Sequence, residues 1–426
     1  MAIGLDFGTT NSSIALATEN GDVQVARFGD GNGLTESLRS LLYLERIREG
    51  RRSTIKSWAG PEGIAHYLRG EEKGRLIQSL KSFLASRSLQ STEIFGRRFQ
   101  LEDLVANVVR DIRTKVEQQF GLPVRSAVVG RPVRFVGAES PADDEYALQR
   151  LTRALNNAGF EVLKFEYEPV AAAYYYEASL DHDELILIGD FGGGTSDFSL
   201  LHVGPSVRQR GGPRAVLGNS GLALAGDAFD AKIIRHLVSP ALGAGSFLDS
   251  AGKLLPVPTW IYFKLERWHH LSFLRSTETL NLLQSVAAQA LEPDKLNALL
   301  YLVKHDLGYH LHRAVQQTKV ALSLAEHSRF EFIDGDLELR ADVNRTAFES
   351  WISEELLSIE QRVDSLLAES GVSGVDVDRV FLTGGSSFVP AVRRIFETRF
   401  GVHKIRTGDE FTSVARGLAL RSMDLK

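Results

Sequence analysis

The chain has 426 residues, enough to bury a large core and to divide into two or three domains. With 43% apolar and 24% charged residues it has the composition of an ordinary soluble protein, and a net charge of −5 argues against a generic nucleic-acid binder. Cysteine is absent, which excludes a disulfide framework, thiolate chemistry and a zinc–thiolate site.

The N-terminal stretch AIGLDFGTTNSSIALAT, Ala2 to Thr18, enters a short apolar strand at once. It has none of the basic and long apolar regions of an export signal, so a cytoplasmic protein is expected. Asp6 and Gly8 close that strand, and Thr9, Thr10, Asn11, Ser12 and Ser13 supply hydroxyls and an amide before the chain turns back. Val23 to Phe28 reads as a third strand. The turn GDGNG, Gly29 to Gly33, is no dinucleotide fingerprint, because no helix pattern opens on its last glycine.

Residues 41–102 are compositionally mixed and are expected to form an inserted subdomain. Within it, Arg46, Arg48, Arg51 and Arg52 read as a solvated face, with a docking patch as the alternative. Arg75 to Ser86, RLIQSLKSFLAS, has Leu76, Leu80, Phe83 and Leu84 at helical spacing, which predicts a helix with Lys81 beside its apolar stripe. From the residues alone Lys81 reads as a solvated lysine.

Leu101 to Phe120 is an amphipathic helix stopped by Gly121 and Pro123. A buried strand at Ala127–Val129, a helix at Leu148–Ala158 capped by Gly159, and a strand at Phe160–Phe165 follow. Glu168 stands at a strand-to-helix joint, where the plain reading is a capping carboxylate. Ala171, Ala172 and Ala173 let the ensuing helix pack closely.

Asp183 to Val203, DELILIGDFGGGTSDFSLLHV, repeats the N-terminal design. An apolar run from Leu185 to Ile188 ends at Asp190, then Gly192, Gly193, Gly194, Thr195 and Asp197 precede a second strand. A carboxylate at a strand end beside a glycine turn suits a magnesium ion and the phosphates it neutralises; an ordinary hairpin with a flexible turn is the alternative. Pro213 to Gly226 holds a third strand. Ile233 to Leu307 is helix-rich, and its vicinal His269 and His270, near Trp260 and Trp268, lack the i,i+4 spacing of a metal pair and read as structural. Leu311 to Leu324 is helical. Val380–Thr383 is a buried strand, followed by Gly384, Gly385 and Ser386, a helix from Pro390 to Phe400, and a last helix from Val414. No apolar run approaches the roughly 18 residues of a membrane span. Asp-Phe-Gly also occurs in protein kinases, but no GxGxxGxV loop, His-Arg-Asp loop or Walker P-loop accompanies it.

Six ordered signatures carry a resemblance. IGLDFGTTNSSIAL and LIGDFGGGTSDFSL resemble the two phosphate loops, and VFLTGGSSFVPAVRRIF the adenosine loop, of the ATPase region of DnaK-type chaperones, the heat-shock protein 70 class. That class lies within the actin and sugar-kinase superfamily. AVVGRP, EPVAAAYYY and SVARGLAL resemble its connecting segments, so the likeness runs from Ala2 to Leu420. It implies an α/β, two-lobed actin-like ATPase fold with a ribonuclease H-like core in each lobe and a nucleotide cleft between them. Lobe I would be residues 1–183, lobe II 184–389 with a helix-rich subdomain near 229–307, and residues 390–426 would return toward lobe I.

The resemblance also implies roles. Asp6, Glu168 and Asp190 would surround magnesium. Gly8, Thr9, Thr10, Asn11, Gly192, Gly193, Gly194 and Thr195 would hold phosphates, with Gly226 in a nearby turn, Gly226 to Asp230. Lys81 with Glu168 or Asp190 would orient the attacking water, and Asp197 would be a neighbouring ion or proton site. Lys319 and Ser323 match the family's ribose and base helix, although Gln316 and Val320 depart from it. Gly384, Gly385 and Ser386 would take the adenosine, with Phe388 in place of the usual arginine. The expected function is a slow ATPase using ATP, ADP and magnesium, whose lobes open and close to signal to another protein. The family's peptide-binding domain is not expected here, so extended peptides should neither bind nor change turnover. A small-molecule kinase and a non-catalytic scaffold or filament protein are the alternatives.

Overall fold

Ile3–Leu5 and Leu185–Ile188 are short apolar runs bounded by polar turns, a pattern that buries a strand on both faces, and each opens an antiparallel hairpin. The computed structural model describes residues 2–18, 20–29, 33–49, 52–69, 74–177, 180–209, 216–267, 274, 276–406 and 412–423. Packing divides the chain into two compact units, one of residues 1–225, 358–387 and 392–426, the other of residues 226–357 and 388–391. Both hairpins belong to the first unit, so packing separates residues 226–357 from them rather than one hairpin from the other.

The first sheet begins with β1 (Ala2–Phe7), β2 (Asn11–Ala17) and β3 (Val23–Val25), all antiparallel; β3 stops short of the expected Phe28. The insertion is a separate three-stranded sheet of β4 (Leu41–Glu49), β5 (Arg52–Ala59) and β6 (Arg75–Gln78), with β4 in the middle. Helix α1 (Leu101–Phe120) then leads to β7 (Ser126–Arg131). Helix α2 (Pro141–Asn157) begins seven residues before the expected Leu148, because Ser140 caps it by accepting from Asp143 N. Strand β8 (Val162–Tyr167) runs straight into α3 (Glu168–Glu177). β7 and β8 add in parallel, giving the order β8-β7-β1-β2-β3.

The second sheet repeats this plan. β9 (Glu184–Phe191), β10 (Ser196–Val203) and β11 (Val216–Leu222) are antiparallel, and β12 (Arg379–Thr383) and β13 (Ile405–Arg406) add in parallel. The order β11-β10-β9-β12-β13 matches the five-strand path of the first sheet, which carries in addition the short strand Leu38–Arg39 on β2. A helix follows the outer parallel strand in both cases, α3 after β8 and α4 (Ser413–Met423) after β13. α4 packs on β1 and β2, α3 packs on β9 and β10, and the two helices pack on each other. Val128, Ala171, Ile186, Ile188, Val414 and Leu418 form one buried cluster there. The approach is close enough that a Cβ on Gly417 would collide with the carbonyl oxygen of Ala171.

The helix expected over Arg75–Ser86 is not formed. Arg75–Gln78 pairs with Leu41–Leu44 of β4 as a strand, Ser79 takes a left-handed conformation at φ 50°, and Leu80–Phe83 is a single 3₁₀ turn. Four ladder positions on β4 outweigh a stripe whose spacing also fits a strand followed by a turn.

The second unit is mainly helical, with helices at Trp260–Glu266, Thr277–Gln289, Pro293–Lys304 and Gly308–Leu324. It also carries hairpins at Phe247–Pro256 and His327–Asn344, which helical periodicity does not reveal. Gly226–Asp230, expected as a turn, opens a helix that reaches Ile233. Trp268, His269 and His270 lie outside the described residues, as do Arg51, Asp30, Gly31, Asn32 and residues 213–215. Among the described residues no helix is long and apolar enough to cross a membrane.

Candidate functional site

The repeated topology puts Asp6 and Asp190 at the same place in two sheets. Asp6 lies opposite Ser13 on the neighbouring strand, and Asp190 lies opposite Asp197. On its other side Asp190 meets β12, where Thr383 Oγ1 donates to Asp190 Oδ1 at 2.8 Å. The glycine turn after β9 is closed by Gly192 N donating to Thr195 O at 2.9 Å. A Cβ on Gly194 would lie 2.9 Å from Val136, 3.7 Å from Ser82 Oγ and 3.8 Å from Thr9 Cγ2. The two glycine turns are therefore neighbours, and the turn carrying Lys81 adjoins them.

Lys81 is not solvated. Its Nζ donates to Glu168 Oε1 at 2.6 Å, and the two side chains are only 5% and 9% exposed. Glu168 is the first residue of α3, and its Cγ is 3.1 Å from where a Cβ on Gly130 would stand. Asp197 Oδ1 accepts from Val133 N at 2.9 Å and Arg134 N at 3.4 Å, both just beyond β7. Gly130, Thr383 and the Val133–Arg134 amides are positioning elements that the sequence analysis did not single out. The AVVGRP segment held the signal, but the side of a strand end that faces Glu168 is fixed only by register.

Four carboxylates around one ammonium give the site its electrostatics. Burial, then Glu168, pushes the Asp6 carboxyl well above the usual range, and Asp190 adds to the effect. Burial and Glu168 push Asp190 up to about 6, against the pull of Thr383 and Lys81. Asp197 is raised well above its usual value by burial, Glu168 and Asp190. Burial opposes the charge on Lys81, but Glu168 and Asp6 outweigh it, so the ammonium holds its proton more tightly than a free lysine. A site with this excess of negative charge favours a cation.

The residues present fit a magnesium–phosphate group. Thr10 Oγ1 and Asp197 Oδ2 are buried with no hydrogen-bond partner among the described residues. At Gly8 a Cβ would strike Asn11 O, and at Gly384, with φ +79°, it would strike Phe191 O, so the backbone packing of both turns requires glycine. Among the described residues no three acidic or imidazole groups are close enough to ligate a metal directly.

Asp6, Gly8, Thr9, Thr10, Asn11, Lys81, Glu168, Asp190, Gly192, Gly193, Gly194, Thr195, Asp197, Gly384, Gly385 and Ser386 all belong to the first unit. Ser386 is buried in the 3₁₀ turn Gly385–Phe388. Gly226, Lys319, Ser323 and Phe388 belong to the second. There, Lys319 Nζ pairs with buried Asp230 at 2.8 Å and donates to Gly226 O at 3.2 Å. Ser323 Oγ donates to Lys319 O one helical turn back, and Phe388 is 50% exposed.

A family model described as Hsp70 protein matches residues 74–244 and 304–425. "Chaperone protein dnaK" of Emiliania huxleyi is 25% identical over 437 residues, covering 99% of this chain and 59% of that protein. "Chaperone protein DnaK" of Thermotoga petrophila is 24% identical over 423 residues with the same coverages, and that of Thermosipho africanus is 25% identical over 423 residues, covering 99% and 58%. The chain spans about three-fifths of the length of these curated relatives.

Proposed function

Because the chain belongs to the Hsp70 family, we propose that it is a chaperone-type ATPase that binds ATP with magnesium and hydrolyses it slowly to ADP and phosphate. The observation that carries this reading is the buried Lys81–Glu168 pair, 2.6 Å long, set beside Asp6, Asp190 and two glycine turns. Phosphoryl transfer requires mainly positioning and charge stabilisation, which such a constellation supplies.

The backbone N–H groups of Gly8–Thr10 and Gly192–Thr195, with the Thr9, Thr10 and Thr195 hydroxyls, hold the phosphate oxygens. Asp6, Glu168 and Asp190 would hold magnesium, and the ion would supply neutralisation of charge on the transferred group. Lys81 Nζ, fixed by Glu168, donates to the phosphoryl oxygens and orients the attacking water. Glu168 accepts a hydrogen bond from that water; Asp197 takes up a proton or an ion beside it. Gly384–Ser386 offer backbone to the adenosine, and Lys319 and Ser323 are assigned to the ribose and base. Hydrolysis relaxes a nucleotide-dependent opening and closing of the lobes, and the product is a conformational signal to a client or regulatory protein.

The test is phosphate release from ATP, ADP and GTP, with and without magnesium and with no acceptor added. ATP turnover that requires magnesium supports the reading. Turnover that appears only with an added hydroxyl acceptor would make the protein a kinase, and nucleotide-dependent pelleting without turnover would make it a scaffold.

A further inference from the structure

Among the described residues Arg150 is the largest side chain that is fully buried, at 1% exposure. Burying a guanidinium costs several kcal/mol even when it is paired, and an apolar side chain of similar volume is often more stabilising. What Arg150 does with its donors is therefore informative. Nη1 reaches the carbonyls of Phe83, Leu84 and Ser86 at 3.3, 3.3 and 3.1 Å, and Nη2 reaches Leu89 O at 3.1 Å. Nε and Nη2 meet the Glu102 carboxylate at 3.0 and 3.4 Å. All four carbonyls lie in the irregular segment that begins two residues after Lys81.

Two further observations tie this clamp to Lys81. Asp143, Tyr146 and Arg150 share one face of α2, and all three hold the segment. Asp143 accepts from Arg87 Nε at 3.1 Å, while the Tyr146 ring lies under both Arg87 and Arg150, at 4.7 and 5.5 Å. On the other side of Lys81, Ser79 is fully buried and left-handed, and its hydroxyl has no hydrogen-bond partner among the described residues. A non-glycine residue in that conformation persists only where its surroundings over-determine it. Left to itself, the short 3₁₀ turn Leu80–Phe83 has few bonds to fix it: Ser82 N to Ser79 O and Leu84 N to Lys81 O.

We propose that Arg150 is a positioning residue for Lys81: anchored by Glu102, it gathers the carbonyls of residues 83–89 and so holds the strained turn that delivers the Lys81 ammonium to Glu168. Its catalytic consequence rests on the ATPase reading above; its structural part does not. Glu102 is the natural anchor because it stands in the first turn of α1, on an element fixed by the core. Burial opposes its charge, yet the hydrogen bonds from Arg150 hold its carboxyl below the usual range.

The test uses Arg150→Gln and Glu102→Gln in the full chain, with two readouts. Acetylation of Lys81 Nζ by acetic anhydride, followed by mass spectrometry, reports the turn without any need for activity. Lys81 should react at least about tenfold faster in Arg150→Gln and about threefold faster in Glu102→Gln, while Lys319 in the other unit is unchanged, as local rather than global opening requires. Magnesium-dependent turnover should fall about tenfold in Arg150→Gln with nucleotide affinity within about twofold, and the Lys81→Ala, Arg150→Gln double variant should be no slower than Lys81→Ala alone. Unchanged Lys81 labelling in a folded variant would overturn the proposal, as would additive losses in the double variant. Should Arg150→Gln fail to fold, Glu102→Gln decides by the same readouts. Should the wild type not hydrolyse ATP, the labelling still decides the structural claim, and the ATPase reading alone is lost.

Discussion

Asp190 carries the most consequence for a single side chain. Asp190→Asn keeps its shape and its bond from Thr383 but removes the charge, and magnesium-dependent turnover should fall by more than about tenfold. An unchanged rate would remove Asp190 from the site. The sign of the pH effect follows from its pKa, pushed up to about 6 in the fold by burial and Glu168. A raised carboxyl pKa means that the folded state binds the proton more tightly than the unfolded chain. The stability it contributes is then full below the ordinary value near 3.8 and is lost as pH rises through about 6. Without nucleotide or magnesium, Asp190→Asn should match the wild type at pH 4 and exceed it by about 1 kcal/mol at pH 7.5, a figure discounted for the partial exposure of this residue. Protons also compete with the cation, so apparent affinity for magnesium–ATP should weaken as pH falls below about 6, measurable by titration calorimetry. The position of Asp190 at a strand end before three glycines was legible in the sequence, where an ordinary hairpin with a flexible turn was the alternative. Its altered acidity was not, since this needs Glu168 and Lys81 from elements far away in the chain.

At the scale of elements, the joints between strand and turn matter more than the strands. Gly130, the fifth residue of β7, lets Glu168 turn toward Lys81, and a methyl group there would press on the Glu168 side chain at 3.1 Å. Gly130→Ala should cost about 1–3 kcal/mol of stability if the crowding is taken up locally, and turnover should drop further than stability explains. Equal turnover in a fully folded Gly130→Ala protein would show that Glu168 has room to spare. Ser79 makes the opposite case. Ser79→Gly removes both a left-handed side chain and a buried, unbonded hydroxyl, so its melting temperature should not fall. The segment around it also shows where periodicity fails. Leu76, Leu80, Phe83 and Leu84 fit a helical stripe, but a strand edge on β4 was available only in the folded chain. α1, stopped by Gly121, was readable to within a residue or two, whereas α2, capped by Ser140, began seven residues before the expected start.

For the whole molecule, the close crossing of α3 and α4 joins the two sheets of the first unit. Gly417→Ala would place a methyl group on the Ala171 backbone, where no side chain can yield. We expect a loss at the upper end of the ~1–3 kcal/mol range for overpacking, or beyond it, read by denaturant unfolding. A wild-type-like midpoint would mean that the helices separate at little cost. Saturating magnesium–ATP should stabilise the folded protein by about 2.7 kcal/mol at a hundredfold excess over Kd. That gain should be much smaller for Asp190→Asn, and an equal gain would place the nucleotide elsewhere.

The sequence by itself determined the two aspartate–glycine hairpins, the α/β class and the family resemblance, because each rests on residues adjacent in the chain: an apolar run, a carboxylate and a glycine turn. Only the tertiary structure decided which distant side chains complete the site. Lys81 and Glu168 are 87 positions apart, and their pairing depends on β6 joining β4, on α3 beginning where β8 ends, and on Gly130 leaving space between. The repeated core of the two sheets was implied by the family resemblance, but the residues themselves did not give the strand order, since β7 and β12 acquire their places only by pairing with β1 and β9. Local patterns fix what a segment can be; burial and register, which are non-local, fix what it meets.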